Sequence, residues 1–391
     1  MRYVVMTIAA ALLAGSVLLP THGTATGPSV SIQADATPAD SLEALGERLF
    51  FDVNLSARRT QSCATCHNPE RGFADPRGMA SLGDDGVSLG DRNAPTAAYA
   101  AFSPPFGLNE EGEWIGGQFL DGRAATLEEQ AGGPPLNPAE MAMKDVSMVV
   151  GRLLDDPVYI DAFETHFGAG ALKDPVRAYA AMTTAIASFE RTDFFAPFDS
   201  RYDRYLRGEV EFTNQEELGR TLFFSQQFTN CAECHQLSRS AINPRETFTD
   251  YSFHNIGTPE NLALRAMNDV PTGTVDEGLS GNPAVLGDLA QRGKFRTPTL
   301  RNVAVTGPYM HNGVFEDLRT VVLFYNTYNT RSTSRRINPE TGEPFGPPPV
   351  EDTLSLEELT HGPALDDRRV DALVAFMRTL TDERYEHLLN E

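Results

Sequence analysis

The sequence predicts an all-α protein built as two small helical domains with long loops, on three observations. Amphipathic helical stripes recur in both halves, strand signals are few, and a short helix leading into a five-residue cysteine motif occurs twice.

The first 25 residues read as a secretory signal peptide: Arg2, an apolar run from Val4 to Leu19, then small and turn residues with cleavage after Ala25. An uncleaved membrane anchor is the competing reading, but the run falls short of the roughly 20 apolar residues that span a bilayer. Residues 26–40 follow as a flexible segment. The first domain is expected over 41–208 and the second over 209–391, divided within the aromatic and charged stretch between Asp193 and Asn214. Leu45-Gly-Glu-Arg-Leu-Phe-Phe51 and Leu218-Gly-Arg-Thr-Leu-Phe-Phe224 are the duplicated short helices, one opening each domain.

Thr126 with Glu129 forms a capping box that opens a helix at Leu127. Asp174 caps a helix begun by Pro175, whose stripe is Val176, Tyr179, Met182, Ile186 and Phe189; Val370, Leu373, Val374, Met377 and Leu380 repeat it near the end of the chain. Both stripes read as core packing. The Gly/Pro/Asp-rich stretches 75–117 and 331–350 read as loops, and loops this long usually carry function or wrap a ligand.

Composition narrows the function. A net charge of −22, from 54 acidic and 32 basic residues, excludes nucleic acid as a partner unless a concentrated basic face exists, and the sequence shows none. No later segment is long and apolar enough to span a membrane, so a soluble, exported, periplasmic protein is expected.

All four cysteines fall in two copies of one pattern, Cys63-Ala-Thr-Cys66-His67 and Cys231-Ala-Glu-Cys234-His235. CxxCH is the attachment signature of c-type haem. Two sulfurs form thioethers to the vinyl groups, and the next histidine is the proximal iron ligand. A redox CxxC or half of a zinc site would not need a histidine directly after the second cysteine of both copies. Two covalently bound haem c groups are therefore expected, one per domain, with His67 and His235 on the irons. Haem attachment follows export, in accord with the signal peptide.

Further motifs are Arg92-Asn-Ala-Pro-Thr96, Gln118-Phe-Leu-Asp-Gly-Arg123, Gln130 with Asn137-Pro-Ala-Glu-Met141, and Arg296-Thr-Pro-Thr-Leu-Arg-Asn302 leading to Pro308-Tyr-Met-His-Asn-Gly313. On these the mature chain resembles the bacterial diheme cytochrome c peroxidases and their MauG-like relatives, and is closer to the MauG/MbnH-like branch. The resemblance implies two cytochrome c-like helical domains, a peroxidatic haem in the first and an electron-transfer haem in the second.

Three departures from the ordinary peroxidase pattern sharpen this expectation. Ordinary members carry a histidine about sixteen residues after the first CxxCH; Ser81-Leu-Gly-Asp-Asp-Gly86 has none, so the first haem looks open. The resemblance places Gln130 and Glu140 on its distal side, where a glutamate can take a proton from hydrogen peroxide and return it to the leaving oxygen while Gln130 orients the peroxide. Fourteen residues after His311, where ordinary members have a methionine, stands Tyr325, the axial ligand of MauG-like proteins. An anionic phenolate favours ferric and higher-valent iron. A core aromatic at Tyr325 and Met310 as a rival ligand are the alternatives. Finally, Leu120 stands where most relatives carry an inter-haem tryptophan, and the only tryptophan, Trp114, either substitutes in space or merely packs.

The resemblance also implies a calcium ion at Asn93, Thr306 and Pro308, whose oxygens suit a hard cation. His254 and His311 match family loops as supporting residues; His22, His166, His361 and His387 have no functional reading. The expected activity is a diheme oxidoreductase that activates hydrogen peroxide at the open haem. It would oxidise a partner protein, at Trp or Tyr residues, through high-valent iron. The alternative is a periplasmic peroxidase fed by a small cytochrome c or cupredoxin. Arg331, Arg335 and Arg336 in the loop after Tyr325 are expected to help dock an acidic partner.

Overall fold

The computed structural model describes residues 39–237 and 242–390. The expected signal peptide and nearly all of the expected flexible segment lie outside the described residues.

The first half carries helices α1 (Leu42–Phe50), α2 (Cys63–Cys66), α3 (Leu127–Ala131), α4 (Val146–Leu154), α5 (Pro157–Phe167) and α6 (Pro175–Glu190). The second carries α7 (Arg201–Leu206), α8 (Asn214–Phe223), α9 (Cys231–Cys234), α10 (Leu262–Asn268), α11 (Leu318–Asn326), α12 (Leu356–Leu359) and α13 (Asp367–Arg378). Among the described residues the strands are four two-residue pieces: β1 (Gly107–Leu108) pairs antiparallel with β2 (Trp114–Ile115), and β3 (Phe253–His254) with β4 (Phe295–Arg296). The fold is therefore mainly helical with two minimal ladders that fasten loops to one another.

Helix starts follow the sequence signals. Asp174 Oδ1 accepts from Val176 N and Arg177 N at the start of α6. Thr126 Oγ1 accepts from Glu129 N as the capping box requires, but the Glu129 carboxylate reaches one residue further back, to Ala125 N at 2.7 Å.

The duplicated helices each pack on the long helix that closes their half, α1 on α6 and α8 on α13, the two broadest helix pairs in the molecule. Glycine makes the approach possible. A Cβ at Gly46 would run into the Ala185 carbonyl oxygen and lie 2.9 Å from Phe189 Cβ; at Gly219 it would meet the Ala372 carbonyl and lie 2.8 Å from Phe376 Cβ. The phenylalanines of the repeats fill the cores behind. Phe50 makes edge contacts with Phe189 and Phe195, and Phe223 with Phe248.

Two separate apolar cores result, one built from residues between Leu45 and Ala196 and one from residues between Tyr202 and Leu380. Tyr202 and Leu206, on the first-domain side of the expected division, pack with the second core. Trp114 belongs to neither: it stacks on Phe106 at 5.0 Å beside a small cluster of Phe253, Leu279 and Val285.

The halves are tied at Asp382. Its Oδ1 accepts from Tyr99 Oη at 2.6 Å and its Oδ2 from Asn302 Nδ2 at 2.8 Å. Burial raises this carboxyl to about 6, against the pull of those two donors.

Candidate functional site

A cavity of about 840 Å3 runs between the two cores. It gathers every residue singled out as a site residue: Cys63, Cys66 and His67; Cys231, Cys234 and His235; Gln130, Glu140 and Tyr325; and Asn93, Thr306 and Pro308.

Each CxxC is one helical turn, α2 or α9, so its cysteines at i and i+3 share a face. Burial raises all four thiols. The histidine after each turn is treated identically. His67 Nδ1 lies 3.3 Å from the Phe73 carbonyl, and His235 Nδ1 lies 3.3 Å from the Phe248 carbonyl. A carbonyl only accepts, so the proton sits on Nδ1 and Nε2 is left with its lone pair. Burial lowers both imidazoles, keeping them neutral. Two thiols on one helical face and a neutral histidine with a free Nε2, twice over in one apolar cavity, fit two covalent haem c groups.

Sequence reasoning missed Phe73 and Phe248. Both are fully buried and hold nearly the same left-handed backbone, φ 57° and φ 56°, which turns the carbonyl onto the histidine. The duplication continues beyond them. Thr96 Oγ1 donates to the Gly72 carbonyl and Thr299 Oγ1 to the Thr247 carbonyl, each at 2.6 Å. The available signal was Phe73-Ala-Asp75 with Pro95-Thr96, matched by Phe248-Thr-Asp250 with Pro298-Thr299.

The remaining wall differs between the halves. Glu140 lies near Cys63 and Cys66, where its charge would raise both thiols. Its Oε1 accepts from Asn137 Nδ2 at 2.7 Å, and burial raises the carboxyl despite that bond. Gln130 reaches the cavity from α3. The loop expected to lack a blocking histidine is pinned to the Glu140 segment: Asp84 N donates to the Glu140 carbonyl at 2.7 Å, and Thr60 Oγ1 donates to the Asp84 carbonyl at 2.7 Å. Of residues 81–86 only Ser81 lines the cavity.

Tyr325, on α11, lies near Cys234 and Cys231, and burial raises its phenol. Met310 also lines the cavity, from a turn with φ 71°. Leu120 lines it too, whereas Trp114 does not; the tryptophan packs on Phe106 and does not stand in for an aromatic at 120.

His254 is held by hydroxyls, Ser252 Oγ at 2.7 Å from Nε2 and Ser355 Oγ at 3.3 Å from Nδ1. His311 stacks on Phe295 at 3.8 Å, and burial lowers it to about 4. Among the described residues, the grouping of histidine, cysteine and carboxylate that could hold a metal is Cys234, Asp250 and His254; it does not coincide with the expected calcium residues. Those residues offer neutral oxygens, and Asn93 already donates its Nδ2 to the Met79 carbonyl.

Of the three arginines of the loop after Tyr325 expected to dock a partner, Arg331 and Arg336 are exposed, and Arg335 and Arg336 bond within their own half. Arg335 pairs with Asp367 and donates to the Leu365 carbonyl, and Arg336 donates twice to the Thr330 carbonyl. Arg335 and Arg336 thereby fasten the loop to its own half.

The profile of a family described as di-haem cytochrome c peroxidase matches residues 40–211. The chain is similar to the methylamine utilization protein MauG of Paracoccus denitrificans, 53% identical over 382 residues and 96% of each chain. It is 35% identical to the cytochrome c peroxidase Ccp of Escherichia coli over 71% of this chain and 51% of that one. Among solved structures, the diheme peroxidase BthA from Burkholderia thailandensis aligns with a TM-score of 0.79 at 35% identity, covering 89% of this chain and 88% of the other.

Proposed function

Because this chain belongs to the di-haem cytochrome c peroxidase and MauG family, and is therefore a diheme oxidoreductase acting with hydrogen peroxide, we propose that it oxidises a partner protein in the periplasm and does not scavenge peroxide. The observation that carries this reading is the division of one cavity. A half-buried carboxyl, Glu140, stands on the side of the first CxxCH, and a half-buried phenol, Tyr325, on the side of the second.

Cys63 and Cys66 would hold the first haem and Cys231 and Cys234 the second, with His67 and His235 as proximal ligands and Tyr325 as the further ligand of the second. When bound, the two haems supply peroxide activation and storage of oxidising equivalents. The protein supplies positioning and proton transfer. Glu140, raised by burial, is poised to accept a proton from the near oxygen of hydrogen peroxide at its carboxylate and return it to the far oxygen, which leaves as water. Asn137 fixes the carboxyl through Oε1, leaving Oε2 for that transfer. Gln130 orients the peroxide with its amide. At Tyr325 the burial that raises the phenol means that its proton leaves only against a cationic partner, a hard match to ferric iron. A calcium ion at Asn93, Thr306 and Pro308 would cross-link the halves, since Asn93 N already donates to the His311 carbonyl at 2.8 Å.

The test is a spectroscopic titration of the diferric holoprotein with hydrogen peroxide. One equivalent should give a long-lived state two oxidising equivalents above the starting protein, and Tyr325→Met should abolish its persistence. A requirement for prior half-reduction, followed by fast turnover with a reduced cytochrome c or cupredoxin, overturns the proposal in favour of a scavenging peroxidase.

A further inference from the structure

Among the described residues four arginines line the cavity, and three of them are paired with carboxylates. Arg92 forks onto Asp276 and reaches Asp121 at 2.6 Å, Arg123 meets Asp121 at 3.0 Å, and Arg265 meets Asp91 and Glu260 at 3.2 Å each. Arg296 is the exception. Among the described residues it makes no ion pair; its Nε donates to the Phe119 carbonyl at 3.3 Å and its Nη1 to Ser103 Oγ at 3.4 Å. Both bonds are long, and most of its five N–H donors remain unused. Its guanidinium, half-buried and disfavoured by desolvation, also lies 5.8 Å from the Tyr251 ring centre, a weak partner for a charge.

An arginine stays charged, and a buried charge requires a counter-charge. The chain supplies carboxylates to three of the arginines around this cavity and, among the described residues, none to the fourth. We propose that Arg296 is an anion anchor for a haem propionate, which would accept a bidentate pair of N–H donors from its guanidinium. This inference rests on the diheme reading above.

The geometry also fixes where the anchor acts. Arg296 lies on β4 in the second half, yet its backbone N donates to the Leu120 carbonyl at 2.8 Å and its side chain to the carbonyl of Phe119. The propionate is thereby held at the seam between the halves, against the segment in which Leu120 replaces an aromatic residue. As a fixed positive charge beside one haem, Arg296 stabilises the reduced form, which carries one more negative charge than the oxidised form.

The test uses holoprotein carrying two haems per chain, counted by the alkaline pyridine spectrum, with Arg296→Gln and Arg296→Lys. Two readouts apart from activity are the propionate bending band in the resonance Raman spectrum and the midpoint potential of each haem. In R296Q the band of one haem should move and that haem's potential should shift negative. R296K should restore most of the potential but leave the band displaced, because lysine keeps the charge without the fork. Full haem content in R296Q with bands and potentials unchanged overturns the anchor and leaves the diheme reading standing. If R296Q loses a haem, R296K decides: an unmoved band overturns the anchor. Native protein that holds fewer than two haems overturns both.

Discussion

Glu190 offers a stability test worked from the structure. It is the last residue of α6, 5% exposed, lines the cavity, and among the described residues its Oε2 has no hydrogen-bond partner. Burial raises the carboxyl to about 8; Arg191 pulls it down only weakly because that arginine is paired with Glu128 at 2.8 Å. The folded protein thus keeps this proton between an ordinary glutamate pKa near 4.5 and about 8, while the unfolded chain releases it. For a group raised on folding, the contribution is complete below the unfolded value and is lost as pH rises through the folded one. At about 1.4 kcal/mol per pH unit across that window, the loss has a ceiling of about 5 kcal/mol. Glu190→Gln keeps the volume and removes the titration. In urea unfolding of the holoprotein followed by circular dichroism, the variant should match the native protein within about 1 kcal/mol at pH 5 and exceed it by several kcal/mol at pH 8.5. Other titrating groups such as Asp382 are common to both proteins and cancel in the difference. A difference that stays constant from pH 5 to 9 refutes the reasoning.

Gly46→Ala and Gly219→Ala should each force their helix pair apart and cost about 3 kcal/mol, read as a lower urea midpoint with helix content otherwise retained at low urea. Asp203→Ala leaves Arg301, wholly buried and 2.6 Å from that carboxylate, without its counter-ion; about 3–5 kcal/mol should be lost in the same assay. Tyr99→Phe removes the 2.6 Å bond to Asp382 and should cost about 2 kcal/mol at pH 8, shrinking below pH 6 as Asp382 protonates; a pH-independent cost would contradict this.

The parts legible in the sequence were those written contiguously. CxxCH is five adjacent residues, and Leu45 to Phe51 matches Leu218 to Phe224 at five of seven positions, so both the proposed cofactor anchors and the duplicated helices could be read directly. Phe73 and Phe248 escaped because one follows its histidine by six residues and the other by thirteen, and their shared role is played by a backbone carbonyl that any residue type possesses. Arg296 was visible as part of a motif, but its lack of a carboxylate is a property of three dimensions. The same holds for Arg335 and Arg336, whose partners Asp367 and Thr330 are set by how the loop folds back on its own half.

The pattern of what repeats and what does not bears on how the two halves divide their work. The matched features, the Phe73 and Phe248 carbonyls and the Thr96 and Thr299 hydroxyls, serve His67 and His235 or the loops beside them. Gln130 and Glu140 hang from α3 and the segment after it, whereas Tyr325 is built into α11. A duplicated frame therefore gives the two proposed attachment sites one geometry, and on the proposed reading the chemistry that distinguishes them falls to unmatched residues across the cavity. Asp382 couples the two frames, because it accepts from Tyr99 in one half and Asn302 in the other, so neither frame can shift without straining a bond that the other also uses.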